Sequence, residues 1–366
     1  MATIGQPINR IDGPLKVTGE AIYAYEQREA GEPLYGYIVG ATIGRGRIAR
    51  IDASRAERSP GVRLVLTHEN TPEQGTPDPS MPTVYRRAYP VLNTPEIHHY
   101  GEPVALVVAE TFEQARAAAK LVDVDYTVQP GRFDFAQFQD EAYAPETVKG
   151  IFDTDTAVGD FESAFRSAEI RLDQRYTTPY YFSQPMEFHS CLAVWHGEDL
   201  SIYVSTQVVA SAHMTVASTL RIDPRRIQVF APYIGGGFGS KLGIHSETIL
   251  AAIAARELKE PVKIALTRQQ IFHLTGVRPT SSQRVRLGAR RDGRLVAIAH
   301  EVNMSTDPIW KYGEQTATTT RSLYAAPNRL THHRLTPLDV LRGEDVRAPG
   351  EAPGLLAVES AMDELS

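Results

Sequence analysis

Four glycines within five residues are the feature that most restricts how this chain can fold. They occupy positions 235–237 and 239 in the stretch "APYIGGGFGSK" (231–241), on both sides of Phe238. Ser240 stands where the dinucleotide pattern G-x-G-x-x-G, counted from 235, and the phosphate-loop pattern G-x-x-x-x-G-K-[ST] each require glycine. The run therefore does not hold a nucleotide in either of the usual ways. Because glycine is entropically costly, a turn alone seldom needs so many.

The glycine run connects a predicted strand to a predicted helix. The strand "RIQVFAPYI" leads into it, and a helix is predicted to begin near Ser246. Residues without Cβ at such a corner let the backbone approach a bulky group and let N–H groups point into one concavity. We therefore predict an anion or oxo-group pocket, and the alternative is a tight turn packed against a neighbouring element.

Residues 1–130 alternate strand and helix patterns, as in an α/β unit. The β-rich run "PVALVVA" (103–109) is followed by an alanine-rich helix. Thr111 and Gln114 predict a capping box at the start of that helix, and "VDVDY" predicts a returning strand after it. These patterns predict a compact α/β domain in the first third of the chain.

A second domain follows an irregular stretch. Residues 131–160 contain scattered prolines, glycines and acids, which is typical of a linker. Beyond it strands and helices mix again, and "RVRLGARRDGRLVAIAHEV" predicts a hairpin that turns at Asp292–Gly293. We predict a mixed α/β (α+β) fold with domains at 1–130 and 161–366.

Composition excludes several classes of function. The formal net charge is −6 and no long Lys/Arg run is present, which argues against nucleic-acid and membrane partners. The single cysteine, Cys191, excludes disulfides within the chain and iron–sulfur clusters bound by this chain alone, and it is predicted to be a buried small hydrophobe. The apolar run "ILAAIAA" (249–255) is too short to span a bilayer. We expect no export signal and no anchor, hence a cytoplasmic location, or a periplasmic one by export together with a partner.

Several segments together resemble a known family. "GGGFGSK" (235–241) and "STQ" (205–207), with "YFSQPMEFHSCLAVWHGEDLSIYVSTQ" (181–207) and "VRAPGEAPGLLAVESAMDEL" (346–365), resemble the molybdenum-binding subunit of the xanthine dehydrogenase and aldehyde oxidase family. The form "RAPGEAPG" is most similar to the bacterial three-subunit aldehyde oxidoreductases. The resemblance covers the N-terminal half of that subunit, and it implies a hammerhead-like α/β domain followed by the first part of the molybdopterin-binding region.

The resemblance assigns the glycine run to a cofactor. Gly236, Gly237, Phe238 and Gly239 would lie against the molybdenum end of a molybdopterin, which we expect as its cytosine dinucleotide form. The N–H groups of Phe238 and Gly239 would face the oxo and dithiolene side of the metal. No side chain of this chain is expected to ligate the metal directly.

Three further residues receive roles by the same resemblance. Gln207 would hydrogen-bond an oxygen on the molybdenum, and Arg347 would lie beside the metal; taken singly, they would be a strand-end surface residue and a salt-bridge partner. Leu242 stands where the purine-oxidising members carry a substrate-binding glutamate. An apolar wall offers no partner to a purine's polar edge, so Leu242 favours an aldehyde with an apolar body. Phe188 replaces a proline that is frequent in the family, so we expect a different local turn.

No catalytic residue is assigned within this chain. The family subunit is about twice as long, and its general-base glutamate lies in the half that this sequence lacks. Glu187 and Glu351 belong to segments without that role, and Glu247 is predicted to sit in the first turn of a helix, where the dipole explains it. The pairs His98–His99 and His332–His333 lack the spacing of a zinc site and are predicted to be surface or interface residues.

The resemblance also implies a reaction and partners. The reaction would be oxidation of a small aldehyde to a carboxylic acid with water as the oxygen source, with electrons passing to an iron–sulfur subunit and an FAD subunit. The C-terminal helix carries Leu355, Val358, Met362 and Leu365 along one side, and we predict that a partner surface, the complementary C-terminal half, covers this stripe. The alternative is a truncated, catalytically inert fragment.

Overall fold

The computed structural model describes residues 4–28, 31–78, 80–81 and 84–366. Short 3₁₀ turns aside, the elements follow one another in a mixed order of strands and helices. The strands are β1 Leu34–Gly40, β2 Gly46–Asp52, β3 Val62–Thr67, β4 Glu96–Ile97, β5 Pro103–Ala109, β6 Asp123–Val128, β7 Thr147–Val148, β8 Phe152–Asp153, β9 Thr156–Val158, β10 Ile170–Thr178, β11 Ser190–His196, β12 Asp199–Val204, β13 Ile227–Phe230, β14 Val262–Ala265, β15 Ser281–Ala289, β16 Leu295–Thr306 and β17 Asn328–Pro337. The helices are α1 Gly13–Thr18, α2 Ser54–Glu57, α3 Phe112–Ala119, α4 Phe135–Phe138, α5 Phe161–Ser167, α6 Val209–Leu220, α7 Ser246–Leu258, α8 Arg268–Leu274 and α9 Glu351–Leu365.

The largest sheet has seven strands in the order β13-β12-β11-β14-β1-β5-β3. In its middle, β1 pairs in parallel with β14 and antiparallel with β5. The predicted strand at 103–109 is confirmed as β5. Strands from 34–109 and from 190–265 thus share one sheet, and the mixed α/β fold class is confirmed. The position of the domain boundaries stays a prediction.

Helix α7 fills the space beside this sheet. Residues 246–255 are all buried, which explains why the run is apolar on every side rather than along one stripe. The helix packs on β11 and β14 within the main hydrophobic core. Its start at Ser246 agrees with the prediction and places the glycine run directly before it.

The predicted capping box of α3 is confirmed. The N–H of Gln114 donates to the hydroxyl of Thr111 (3.2 Å), and the N–H of Thr111 donates to the side chain of Gln114 (3.0 Å). Two of the N–H groups that a helix start leaves unpaired are therefore satisfied locally. The helix packs against β1 and β5 and covers their outer face.

A second sheet has the order β10-β15-β16-β17-β9. The predicted hairpin is confirmed as β15 and β16, with Gly293 in the left-handed region at φ +82°. Helix α9 packs on β10 and β15, and Val358 at its centre is 0% exposed. This sheet covers part of the predicted stripe, since Met362 and Leu365 pack against it, and cover of the remainder by a separate polypeptide stays a prediction.

None of the helices in the described part of the chain combines the length and apolar character that crossing a membrane requires.

Candidate cofactor-binding site

Residues 235–241, the glycine loop, lie between β13 and α7, at one edge of the large sheet. β13 ends at Phe230, earlier than predicted, and the strand-to-helix corner is confirmed. Three loop residues have left-handed backbone: Gly236 with φ +89°, Phe238 with φ +51° and Gly239 with φ +99°. A non-glycine residue in this region stores about 1–3 kcal/mol of strain and persists only where its surroundings fix it. Phe238 is therefore held in place by its neighbours.

The space beside two of the glycines is filled by the chain itself. A Cβ at Gly237 would collide with the side-chain carbonyl of Gln207, and a Cβ at Gly239 would collide with the main-chain oxygen of Asp345. Neither neighbour could stay in place if the glycine carried a side chain. These glycines therefore provide close backbone approach within the chain.

Gln207 follows β12 and reaches across to the glycine loop. Its main-chain N–H donates to the carbonyl of Lys241 (2.7 Å), and its Oε1 accepts from the N–H groups of Gly239 (2.9 Å) and Lys241 (3.3 Å). The expectation that the Gly239 N–H faces an outside ligand is wrong here, because that N–H donates to Gln207. With Oε1 engaged, the Nε2 group of the exposed Gln207 is the part left to meet a ligand.

The loop 346–350 brings Arg347 to the glycine loop. The main-chain N–H of Arg347 donates to the carbonyl of Phe238 (2.9 Å), which also accepts from the hydroxyl of Ser183 (3.1 Å). Arg347 is exposed, and the ring of Phe238 is 46% exposed beside it. The structure thus gathers the three predicted motifs at one surface. Leu242, the predicted substrate wall, follows the loop and is half-buried.

The exposed surface of these loops offers hydrogen-bond donors. The N–H groups of Phe238 and Ala348 have no hydrogen-bond partner among the described residues. The Nε2 of Gln207 and the guanidinium of Arg347 add further donors at the same surface. A set of donors with one positive charge suits an oxygen-rich or anionic group, so these residues fit the metal-bearing end of a molybdopterin.

Metal ligands are a separate matter. In the parts of the chain that the structure describes, no three His, Cys, Asp or Glu side chains come together as metal ligands.

Comparison with protein families decides the identity of the chain. Residues 143–366 match the model described as "Molybdopterin cofactor-binding domain", and residues 18–130 match the "Aldehyde oxidase and xanthine dehydrogenase, a/b hammerhead domain". The chain belongs to the molybdenum-binding subunits of the xanthine dehydrogenase and aldehyde oxidase family. The fold and the family expected from the sequence are thereby confirmed.

Known proteins resemble the chain over all or nearly all of its length. It is 42% identical to the aldehyde oxidoreductase molybdenum-binding subunit PaoC of Escherichia coli K12, over 100% of this chain and 48% of that protein. Aldehyde oxidoreductase from Desulfovibrio gigas matches with a TM-score of 0.83 and 24% identity, over 97% of this chain and 41% of that one. Quinoline 2-oxidoreductase from Pseudomonas putida 86 matches with a TM-score of 0.84 and 21% identity, over 100% and 48%. The chain spans about half the length of the relatives it matches.

Behind the exposed loop of this molybdenum-binding chain lies a buried polar cluster that the sequence did not predict. Its buried members are Lys241, His189, His245 and Glu247, and the side chain of Glu187, which is 10% exposed, lies at its edge. The imidazoles of His189 and His245 both hydrogen-bond the carbonyl of Ser240, at 3.0 and 2.8 Å. Burial lowers the pKa of His189 to about 3, so this imidazole is neutral at physiological pH. The sequence signal was the lysine of "GSK" (239–241), and the sequence alone does not distinguish an exposed lysine from a buried one.

The three carboxylates considered as general bases are buried or half-buried. Glu187 pairs with Lys241 (2.9 Å), and Glu351 is the first residue of α9. Glu247 is 2% exposed, and burial raises its pKa to about 7. The helix dipole is therefore not the main influence on Glu247, because dipole stabilisation would lower the pKa of a carboxyl.

The histidine pairs and the cysteine divide between surface and core. His98 bonds the side chain of Glu102 (3.2 Å), and His99 beside it also remains near the surface. His333 is 0% exposed, and its Nδ1 lies 3.0 Å from the carbonyl of Thr154, so the prediction of a surface position is wrong for this residue. Cys191 is a buried free thiol, as predicted.

Proposed function

We propose that this chain is the molybdopterin-binding part of an aldehyde-oxidising molybdenum hydroxylase. The observation that carries the proposal is the contact of Gln207, the glycine loop and the Arg347 loop at one donor-rich surface. The similarity to a subunit named for aldehyde oxidation gives it further support. The reaction converts an aldehyde and water into a carboxylic acid and releases two electrons and two protons.

The residues of this chain bind and orient the cofactor. Gln207 donates through Nε2, and Phe238 donates through its main-chain N–H, to oxygen atoms of the bound group. Arg347 contributes a positive charge next to them, while Gly236 and Gly237 let the backbone come close. Molybdopterin, in our proposal as the cytosine dinucleotide, supplies the redox centre when bound, and the protein supplies position and polarity.

The substrate is an aldehyde with an apolar body. Leu242 follows directly after the glycine loop, and its side chain has no hydrogen-bonding group. A site with a polar partner would favour a purine, since an unpaired polar edge is costly to bury. We therefore place Leu242 in the substrate pocket.

The general base and the route for electrons come from outside this chain. Glu187 and Glu247 lie behind the loop, and the single cysteine cannot hold iron–sulfur clusters. We propose a complex with the complementary C-terminal half, an iron–sulfur subunit and an FAD subunit. Because a general base contributes about 10²- to 10⁴-fold, the 366-residue chain alone is expected not to turn over aldehydes.

The test is to produce the chain with these partners in a host that makes molybdenum cofactor. Elemental analysis is expected to give about one molybdenum per complex, as a single cofactor site requires, and dye reduction is expected with aldehydes. A complex whose partners carry iron but that contains no molybdenum contradicts the cofactor assignment. A molybdenum-loaded complex that oxidises xanthine and not aldehydes contradicts the role of Leu242.

A further inference from the structure

Lys241 has a buried charge directly behind the exposed glycine loop. Its side chain is 0% exposed, and its Nζ donates to the main-chain oxygen of Glu187 (2.9 Å) and to Oε2 of the same residue (2.9 Å). Burying an ammonium group is unfavourable, and a well-packed apolar residue of similar volume is often as stable or more so. The charge of Lys241 therefore calls for an explanation beyond stability.

The carboxylate partner fixes one end of the glycine loop. Oε2 of Glu187 accepts from Lys241 and also from the N–H of Gly235 (2.7 Å). A Cβ at Gly235 would lie 2.5 Å from the Cβ of Glu187, so the two residues are packed as closely as glycine allows. The ammonium thus orients the oxygen atom that holds the first glycine of the loop.

The main chain of Lys241 fixes the other end. Its carbonyl accepts from the N–H of Gln207 (2.7 Å) and from the hydroxyl of Thr206 (3.2 Å). Its N–H donates to Oε1 of Gln207 (3.3 Å). Lys241, at the end of the glycine loop, therefore contacts Glu187 in the segment before the loop and Gln207, the glutamine proposed to meet the ligand.

The Lys241–Glu187 pair leaves one of its hydrogen-bond acceptors unpaired. Oε1 of Glu187 is buried and, among the described residues, has no hydrogen-bond partner. A buried ion pair stabilises a protein only when its remaining lone pairs are also satisfied. The geometry of the pair is therefore better suited to positioning Gly235 and Gln207 than to raising the free energy of unfolding.

We propose that Lys241, paired with Glu187, is a positioning residue that holds the glycine loop and Gln207 in the conformation that accepts the cofactor. The ammonium fixes Gly235 through the carboxylate, and the main chain fixes Gln207, so the donors of Phe238 and Gln207 are set before binding. This inference rests on the proposed function for the identity of the ligand. The order of the loop itself can be measured without any ligand.

The test uses a double variant, because Lys241→Met alone leaves a buried carboxylate without its partner and could prevent folding. Glu187→Gln combined with Lys241→Met makes both positions neutral at similar volume. In the 366-residue chain without cofactor we expect a thermal midpoint close to the parent and about tenfold faster hydrogen exchange of the loop amides 235–241, as for a segment that opens locally. In the complex we expect less than half the molybdenum content of the parent.

A matched control is Lys263→Met. Lys263 is 5% exposed and donates to the carbonyls of Tyr25 (2.6 Å) and Gln27 (3.1 Å), but it lies in β14 and makes no hydrogen bond to the glycine loop. It is expected to lower the thermal midpoint without faster exchange at 235–241 and without loss of molybdenum from the folded complex. A merely structural lysine at 241 would behave in the same way.

Two results of the double variant overturn the inference. One is loop exchange and molybdenum content equal to the parent, and the other is faster loop exchange with full molybdenum content. A parent complex that contains iron but no molybdenum overturns the proposed function instead. The exchange rates of the chain then still decide whether Lys241 orders the loop.

Discussion

The two loops at the candidate site are each held by a buried cation. The cation is Lys241 for the glycine loop and Arg278 for the loop 346–350, and the two side chains differ in shape. Behind the loop 346–350, the guanidinium of Arg278 donates through Nη2 to the carbonyls of Val346, Arg347 (2.9 Å) and Ala348 (3.1 Å). Its Nε donates to both carboxylate oxygens of Glu314, at 3.2 and 3.3 Å. Lys241, by contrast, places its ammonium on Glu187 alone.

The difference follows from the geometry of the two side chains. A guanidinium is a planar fork that can contact a carboxylate and a row of carbonyls at once, whereas an ammonium is a compact point charge. Three consecutive carbonyls converge on Arg278, and Ala348 is held in the left-handed region at φ +59°. The loop 346–350 is therefore held by side-chain hydrogen bonds, three from Arg278 and one from Gln315 to the carbonyl of Pro349 (2.6 Å), while the glycine loop takes its shape from close steric fit and is secured at its two ends.

The largest expected effect is that of Arg278→Met. It leaves Glu314 buried without its cation and the carbonyls of Val346 and Arg347 without a donor, and breaking such a pair typically costs about 3–5 kcal/mol of unfolding free energy. Arg278→Lys is expected to restore little, because an ammonium cannot reach the carboxylate and the three carbonyls together. Urea-induced unfolding of the chain measures both.

Arg284→Met is the control for this change. Arg284 forms an exposed pair with Asp173 (2.7 Å), and such pairs contribute about 0–1 kcal/mol. If Arg278→Met and Arg284→Met have the same unfolding free energy, the loop 346–350 does not depend on its guanidinium and the comparison fails.

The second prediction concerns the pH dependence of stability caused by Glu247, a buried carboxyl behind the glycine loop that forms no ion pair with a described residue. Burial raises the pKa of Glu247 from 4.5 to about 7, so between these pH values the native state binds more protons than the unfolded state. The contribution of Glu247 to stability is then present at low pH and is lost as pH rises to about 7. Glu247→Gln is expected to remove this slope and to raise the unfolding free energy at pH 8 by up to about 3 kcal/mol.

The measurement is the difference between the variant and parent stability profiles from pH 4 to pH 9. The parent profile alone is not enough, because the pKa of His189 is lowered to about 3. This imidazole makes the protein less stable as pH falls, and its slope is therefore opposite in sign to that of Glu247. Glu257→Gln, at the exposed end of the same helix, serves as the control. A flat difference profile for Glu247→Gln would mean that this carboxyl is solvated.

The smallest effect sharpens the steric account of the glycine loop. Gly239→Ala is expected to destabilise the chain even without cofactor, because φ +99° strains alanine by about 1–3 kcal/mol and the new Cβ meets the main-chain oxygen of Asp345. Gly236→Ala has a similar φ, but its new Cβ meets only side chains, the ring of Phe238 at 3.0 Å and the Cβ of Pro185 at 3.5 Å. Thermal melts of the two variants are expected to rank Gly239→Ala as the less stable, and the reverse order would contradict close packing as the reason for Gly239.

Local pattern was enough to predict several elements of the fold. The capping box of Thr111 and Gln114, the hairpin at Gly293 and the helix start at Ser246 depend on residues a few positions apart. The motif residues of the site could be assigned by resemblance, and the structure brings Gln207, Phe238 and Arg347 together.

What could not be predicted depends on contacts between distant segments. Met362 and Leu365 of α9 pack against strands that lie far earlier in the chain, so these neighbours are invisible in the helix sequence. Lys241 looks like a surface residue until Glu187 is placed beside it. The donor role predicted for Gly239 failed for the same reason, since only the fold brings the side chain of Gln207 onto its N–H.

The position of β1 in the large sheet has a consequence for synthesis of the protein. Leu34 pairs with Val262, and at about 5–20 residues per second the ribosome reaches the second strand roughly 10–50 s after the first. Until then one edge of β1 has no partner, although its other edge can already pair with β5. An unpaired strand edge is a template for association with other chains. The nascent chain is therefore most vulnerable to aggregation before β14 emerges, and the sheet that supports the glycine loop is completed late.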